Sequence, residues 1–197
     1  MRVVVVGTGT VGSAVKKLLA ERGHSVISVG RKSGDYQADT SDPASLKKLF
    51  AGIGPFDAVA NAAGDVFPGP FEQVTDEQWA KSIAGKGMGQ INIVRAALPH
   101  IADRGSFTLI SGVMTDEYMQ DGTIGTTINH MIEGFVKAAA VELPRGVRIN
   151  CISPTVLTES VASRVFHGLP ARASRGSRAG LSARYLTPDH RAHSEAA

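Results

Sequence analysis

A doubly wound α/β domain, with a parallel sheet held between two helix layers, is the fold this sequence predicts, and three observations predict it. Short β-branched runs alternate with amphipathic stretches along residues 1–159. The first run ends in a glycine cluster that opens a helix. The connections are short, and no repeat or linker divides the chain. A length of 197 residues, 43% apolar and 20% charged, fits a single three-layer domain rather than two domains.

The elements follow in order. Residues 2–6 (Arg-Val-Val-Val-Val) lack alternation, as a parallel strand buried on both faces does. Val11, Val15, Leu18 and Leu19 recur at helical spacing up to Gly23, and His24 to Val29 reads as the second strand. Asp42 before Pro43 is an N-cap followed by proline at the first helical position, with Leu46, Leu49 and Phe50 as the buried stripe. Phe56 to Ala60 reads as strand three. Thr75 and Gln78 fit a capping box that opens a helix running to Ile101, with a Gly-rich interruption at 85–89. Phe107 to Ile110 is a strand, Thr123 to Leu143 a long helix, and Val147 to Ile152 a further strand.

Composition excludes several classes. A lone Cys151 cannot close an internal disulfide, so a reducing cytoplasm is expected. The apolar start is too short for a signal peptide, and no run approaches the ~18 residues of a membrane span. Residues 1–159 hold 15 Lys/Arg against 16 Asp/Glu, and residues 160–197 hold 6 against 2. The basic excess is therefore confined to the last 38 residues, which argues against a nucleic-acid face on the folded part. No His/Cys/Asp cluster has metal-binding spacing, and no metal is expected.

Gly7-Thr8-Gly9-Thr10-Val11-Gly12 is GxGxxG placed directly after a strand and opening a helix. The first glycine permits a tight turn, the second lets a pyrophosphate approach the backbone, and the third lets helix and strand pack closely. This placement is that of a Rossmann-type dinucleotide-binding domain. About 20 residues on, where an acidic side chain would hold the ribose of NAD, stand Arg31, Lys32 and Ser33. Two cations and a hydroxyl suit a 2′-phosphate, so NADP is expected ahead of NAD. The alternative reading of Arg31 and Lys32 is a solvated loop.

Over residues 1–159 these motifs resemble the short-chain dehydrogenase/reductase family. The matching segments are Asp39-Thr40-Ser41-Asp42, Asn61-Ala62-Ala63-Gly64, Leu109-Ile110-Ser111-Gly112, Arg148-Ile149-Asn150 and Ser153-Pro154. By that resemblance Asp39 contacts the adenine amine, while Asn61, Ala62 and Gly64 line the middle of the cofactor. Pro154 joins the cofactor-binding residues, and Thr158 approaches the nicotinamide carboxamide. The resemblance also implies a small carbonyl or alcohol substrate, and a homo-oligomer joined through the helices near 87–101 and 123–143.

The family's chemistry uses a tyrosine, a lysine four residues later, a serine and an asparagine, and of these Ser111 is retained. Aligned on Glu133-Gly134-Phe135, the tyrosine position is Gly125 and the lysine position is Asn129. Lys86 falls where the family's asparagine stands, so lysine and asparagine look exchanged. Lys86 and Asn129 would then join Ser111 as the catalytic set, with a burial-lowered Lys86 protonating an alkoxide. Lys86 also reads as a surface lysine in a Gly-rich bend. Tyr118 is expected to pack in a loop, its alternative role being a substitute acid. His100 and His130 are expected on helices without ligand roles, Trp79 as a helix anchor, and 112–122 as a solvated loop at the crevice mouth.

Two functions follow: an NADP-dependent oxidoreductase with an altered active site, and a dinucleotide-binding sensor or interaction protein without turnover. Residues 160–197 contain eight Ala, six Ser and six Arg but no Lys, Ile or Met. That shift marks them as a segment foreign to the fold, such as a frameshifted C-terminus that would leave a sheet edge uncovered.

Overall fold

The computed structural model describes residues 1–155 and 184–185 of the chain. Among the described residues seven strands form one sheet in the order β3-β2-β1-β4-β5-β6-β7. They are β1 (Arg2–Val6), β2 (Ser25–Gly30), β3 (Tyr36–Gln37), β4 (Phe56–Asn61), β5 (Ile101–Ile110), β6 (Arg148–Ser153) and β7 (Arg184–Tyr185). All neighbours pair in parallel except β7, which runs antiparallel along Ile152 and Ser153 of β6. Strand order reverses between β1 and β4, so a ligand crevice opens beyond their carboxyl ends. The expected fold class is the observed one. Thr158 and nearly all of the 160–197 segment lie outside the described residues.

The alternating faces of the buried strands make two unequal cores. Val4, Val6, Val29, Val59, Phe107 and Leu109 face α2 (Pro43–Ile53), α4 (Gly89–Ala97) and α5 (Thr123–Glu142). On the opposite face Val3, Val5 and Ala58 meet Val15 and Leu19 of α1 (Thr10–Glu21). Local signals set the helix starts. Asp42 caps α2 by accepting from the Ala44 amide at 2.8 Å. Thr75 and Gln78 exchange capping-box bonds of 3.2 and 3.0 Å at the head of α3 (Asp76–Ser82).

Several expectations are corrected. Phe56 to Ala60 belongs to the fourth strand, because the exposed pair Tyr36–Gln37 forms β3. Two residues are too few to carry a period, and the link from β2 to β3 spans 31–35 with no helix, far shorter than the usual parallel crossover. The Asp35 carboxylate closes that link on the Ser28 amide and hydroxyl, at 2.8 and 2.7 Å. The helix expected to reach Ile101 ends at Ala97 before a turn holding Pro99 and His100, and Ile101 already pairs with Phe56. The register jumps between Phe56 and Ala58, and residues 102–105 bulge out with Arg104 at φ 60°. That bulge hides the apolar alternation of the first half of β5.

The Gly-rich interruption does not break the helix. Residues Ile83–Met88 form a π-helical turn that joins α3 to α4 in one continuous spiral. Just beyond it, the buried Gln90 side chain donates to the Ile110 carbonyl at 2.8 Å and accepts from the Ile110 amide at 2.9 Å. Gln90 thus stands in for a neighbouring strand at the end of β5, immediately before Ser111. Gln90→Leu is expected to strip partners from both Ile110 groups and cost roughly 2–4 kcal/mol, measured by urea unfolding.

Candidate active site

The glycine loop turns directly off β1. Gly7 has φ +109°, and a Cβ there would sit 2.7 Å from the Ala62 backbone, so only glycine allows the turn beside β4. Gly12 packs so tightly on Gly7 that a Cβ would lie 1.8 Å from the Gly7 carbonyl oxygen. In contrast a Cβ at Gly9 would meet nothing within 4 Å, which leaves the middle of the loop open to the crevice. Thr10 and Val11 form the first turn of α1, whose N-terminus carries no side-chain cap and no acidic residue. The open loop and uncapped amides fit a dinucleotide pyrophosphate.

Beside this loop the exposed Arg31, Lys32 and Ser33 follow the end of β2. The Ser33 and Thr8 hydroxyls share a 2.8 Å hydrogen bond that ties the two loops together. Asp39 accepts from the Ser41 hydroxyl and amide at 2.7 and 2.9 Å. These bonds hold its carboxyl below the usual range, and the Arg31 charge adds to the effect. Asn61 uses its side chain on the Ala63 backbone, donating at 2.9 Å and accepting at 3.3 Å, and so shapes the turn 61–64. Gly64 packs against the Lys86 side chain, where a Cβ would fall 2.8 Å from Cγ. The expected cofactor turn and the candidate acid are therefore in direct contact. Pro154 accepts from the Val113 amide at 3.0 Å and extends the β5–β6 pairing past both strands.

Ser111, Lys86 and Asn129 meet beyond β5. Lys86 is only 9% exposed. Its Nζ donates to the Asn129 Oδ1 at 2.7 Å and to the Ser111 carbonyl at 3.2 Å. The surface-lysine reading is thereby corrected: the π turn directs Lys86 inward. The adjoining Gly87 faces α5, where a Cβ would lie 2.9 Å from Met131 Sδ, an atom of a flexible side chain. Asn129, fully buried, also donates to the Gly112 carbonyl at 3.4 Å. Burial pushes the Lys86 ammonium down from an ordinary 10.5 to about 8, against the opposing influence of Cys151 and Asp65. Burial also raises the neighbouring Cys151 thiol.

One member of this cluster is absent from the sequence expectations. Glu133, 8% exposed, accepts from the Ser111 hydroxyl at 2.8 Å and from the Thr115 hydroxyl at 3.1 Å, both on Oε1. A signal existed, since Glu133 lies one helical turn past Asn129 and between Ile132 and Val136 on the apolar face of α5. None of the three tyrosines, Tyr36, Tyr118 and Tyr185, has lysine four residues on. Tyr118 is 78% exposed, away from the cluster. At Gly125 a Cβ would lie 2.4 Å from Met114 Cε, so a methionine fills the space over that position. His130 is exposed on α5, His100 sits in a turn instead of a helix, and Trp79 packs against the main core. Among the described residues no three His, Cys, Asp or Glu gather as a metal site, and no helix is long and apolar enough to cross a membrane.

A family model described as enoyl-(acyl carrier protein) reductase matches residues 2–194. The bovine (Bos taurus) L-xylulose reductase is 27% identical over 179 residues, covering 79% of this chain and 71% of that protein. Among solved structures, the protein lin1944 from Listeria innocua is 40% identical with a TM-score of 0.79, covering 82% of this chain and 81% of the other. A small-chain dehydrogenase solved in complex with NADPH is 29% identical with a TM-score of 0.73, covering 78% of this chain and 69% of its own.

The buried lysine has a measurable signature. The folded protein releases the Lys86 proton near pH 8, while the unfolded chain holds it to about 10.5. Across that window the unfolded state binds more protons, so stability rises with pH. Below it both states are protonated and the burial penalty, on the order of 3 kcal/mol, is fully present. Relative to Lys86→Met, the unsubstituted protein is expected to gain stability between pH 8 and 10.5 in urea unfolding. A difference flat with pH would contradict the buried ammonium.

Proposed function

The chain belongs to the short-chain dehydrogenase/reductase family, and from that premise we propose that it is an NADP-dependent oxidoreductase acting on a small carbonyl or alcohol, with Lys86 in place of a phenol as the proton-handling group. The observation that carries this reading is the Lys86 Nζ held at 2.7 Å from Asn129 beside Ser111, with its pKa lowered by burial to about 8. A group titrating near working pH can both give and take a proton, which a solvated lysine does poorly.

The rest of the site supports the reading. The Gly7–Gly12 loop and the α1 amides would hold the pyrophosphate, and Arg31, Lys32 and Ser33 the 2′-phosphate. Asp39, Asn61, Ala62, Gly64 and Pro154 border the adenosine-to-nicotinamide path, and Thr158 would follow at its far end. When bound, the cofactor supplies or accepts the hydride. Lys86 would donate a proton from Nζ to the oxygen of the reduced carbonyl, and Asn129 would orient the ammonium while Ser111 lines the same oxygen site. The preference for NADP is consistent with the NADPH carried by the solved small-chain dehydrogenase.

A second reading, a dinucleotide-binding sensor without turnover, is favoured by one observation: the Ser111 hydroxyl proton is already given to Glu133. Fluorescence titration and a carbonyl-substrate screen separate the two. The enzyme reading expects NADPH to bind more tightly than NADH, and Arg31→Glu to weaken NADPH by about 10- to 100-fold while sparing NADH. It also expects turnover that is lost in Ser111→Ala and Lys86→Met. NADPH binding with no Ser111-dependent turnover would select the sensor, and equal affinity for both cofactors would remove the NADP preference.

A further inference from the structure

A cation beside the glycine loop serves a ligand when it is held in place, keeps donors to spare and borders open space. Lys16 of α1 meets all three conditions. It follows Gly12 by one helical turn, and its Nζ donates to Ser28 Oγ at 3.1 Å. Ser28 is buried in β2, and its hydroxyl also donates to Asp35 Oδ2 at 2.7 Å and accepts from the Asp35 amide at 3.2 Å. The Asp35 carboxylate stands 3.8 Å from Nζ, too far for a direct hydrogen bond, and both side chains are about half exposed, so this ion pair contributes little. One of the three ammonium N–H groups is thus spent on Ser28. Between Lys16, the glycine loop and the 31–35 link lies a cavity of about 180 Å³, bordered by the hydroxyl-bearing Thr8, Ser13, Ser28 and Ser33. That is room for several waters, and so for a phosphate group. Lys16 is the one charged group among the described residues that line it. The cavity owes its far wall to Gly30, where a Cβ would lie 2.5 Å from the Ser33 carbonyl oxygen and 2.7 Å from Thr8 Oγ1.

We propose that Lys16 is a specificity-determining residue for the cofactor: with the Thr8, Ser13 and Ser33 hydroxyls it forms an anion pocket for the 2′-phosphate of NADP, acting from α1 while Arg31 and Lys32 act from the exposed link. The inference rests on the NADP reading above and adds a residue to that site from another element. A phosphate presents acceptor oxygens and negative charge, and the ammonium and the hydroxyls can all donate to it. Thr8 and Ser33 hold one proton between them in their 2.8 Å bond, which leaves the other hydroxyl proton free to point into the cavity. Ser28 keeps the lysine stem in place while the remaining N–H groups face the ligand. A ribose 2′-hydroxyl is uncharged and is met by the Thr8–Ser33 pair without the lysine. Loss of the Lys16 charge therefore falls on the phosphorylated cofactor. A lysine that merely braced Ser28 and Asp35 would affect both cofactors alike.

The test measures binding rather than turnover. Adenosine 2′,5′-bisphosphate is compared with AMP by calorimetry, and NADPH with NADH by fluorescence, in the full-length protein and in Lys16→Met and Lys16→Arg. Lys16→Met is expected to weaken the bisphosphate and NADPH by about 5- to 20-fold while AMP and NADH stay within about twofold, and Lys16→Arg to recover most of the loss. A second measurement needs no substitution and carries the test if Lys16→Met fails to fold: reductive methylation of the lysines, read by peptide mass spectrometry. The bisphosphate is expected to slow methylation of Lys16, and AMP at equal saturation to leave it unchanged. Equal weakening of the bisphosphate and AMP in Lys16→Met, a bisphosphate affinity within about twofold of the unsubstituted protein, or equal protection by the two nucleotides would overturn the role of Lys16. If Arg31→Glu still weakened NADPH, the NADP reading would stand without it. Equal binding of NADPH and NADH by the unsubstituted protein would overturn that reading and this inference with it.

Discussion

An ammonium group shut away from water must be met by oxygen atoms, or the fold that buries it loses several kcal/mol. Lys86 is such a group, and much of the site is arranged around it. Its two identified acceptors arrive from different elements: the Ser111 carbonyl from the end of β5, and the Asn129 amide from the middle of α5. For both to reach Nζ, α5 must come within side-chain contact of the π turn. Gly87 faces α5 at that contact, and Gly64 lets the turn after β4 close over the lysine stem. The end of β5 is fixed in turn by the Gln90 amide on Ile110, one residue before Ser111. A single buried charge thus couples four segments that are distant in sequence.

The same cluster holds a second charged side chain at separate contacts. Glu133 meets two hydroxyls, and no ion pair with Lys86 is among its contacts, so the Ser111 residue lies between a donor and an acceptor. Its carbonyl serves the lysine and its hydroxyl serves the carboxylate. This polarised arrangement differs from one built on a phenol and a lysine, and Met114 fills the space over Gly125. The half built on the glycine loop is more conventional. A turn that only glycine can make, an uncapped helix N-terminus and an adjoining pair of cations are assembled by short-range rules at the switch point of the sheet.

Those short-range rules explain which parts were legible in the sequence. The valine run of β1, the Asp42-Pro43 cap and the Thr75/Gln78 box state their structure within a few residues, and each is found in place. What the sequence concealed depends on contacts across the fold. The first half of β5 is interrupted by a bulge, β3 is too short to show a period, and the Ala97 end of α4 is set where the chain must turn into β5. The exchange of lysine and asparagine is read from aligned motifs alone; the structure puts the two side chains 2.7 Å apart, and the burial of Lys86 depends on a π turn that no local pattern announces. Glu133 was visible as a carboxylate on an apolar helix face. Its partners Ser111 and Thr115 come from another part of the chain and were not.

The central claim is that Lys86 is a buried, hydrogen-bonded ammonium whose proton is held weakly enough to be exchanged near neutral pH. A nitrogen-detected NMR titration of the lysine side chains, with the Lys86 signal assigned by its loss in Lys86→Met, tests this directly. The Lys86 signal is expected to titrate near pH 8, well below the ordinary 10.5 of a lysine. A Lys86 signal that titrates near the ordinary 10.5 would contradict the claim, because that lysine would then be solvated and unable to serve as the proton-handling group.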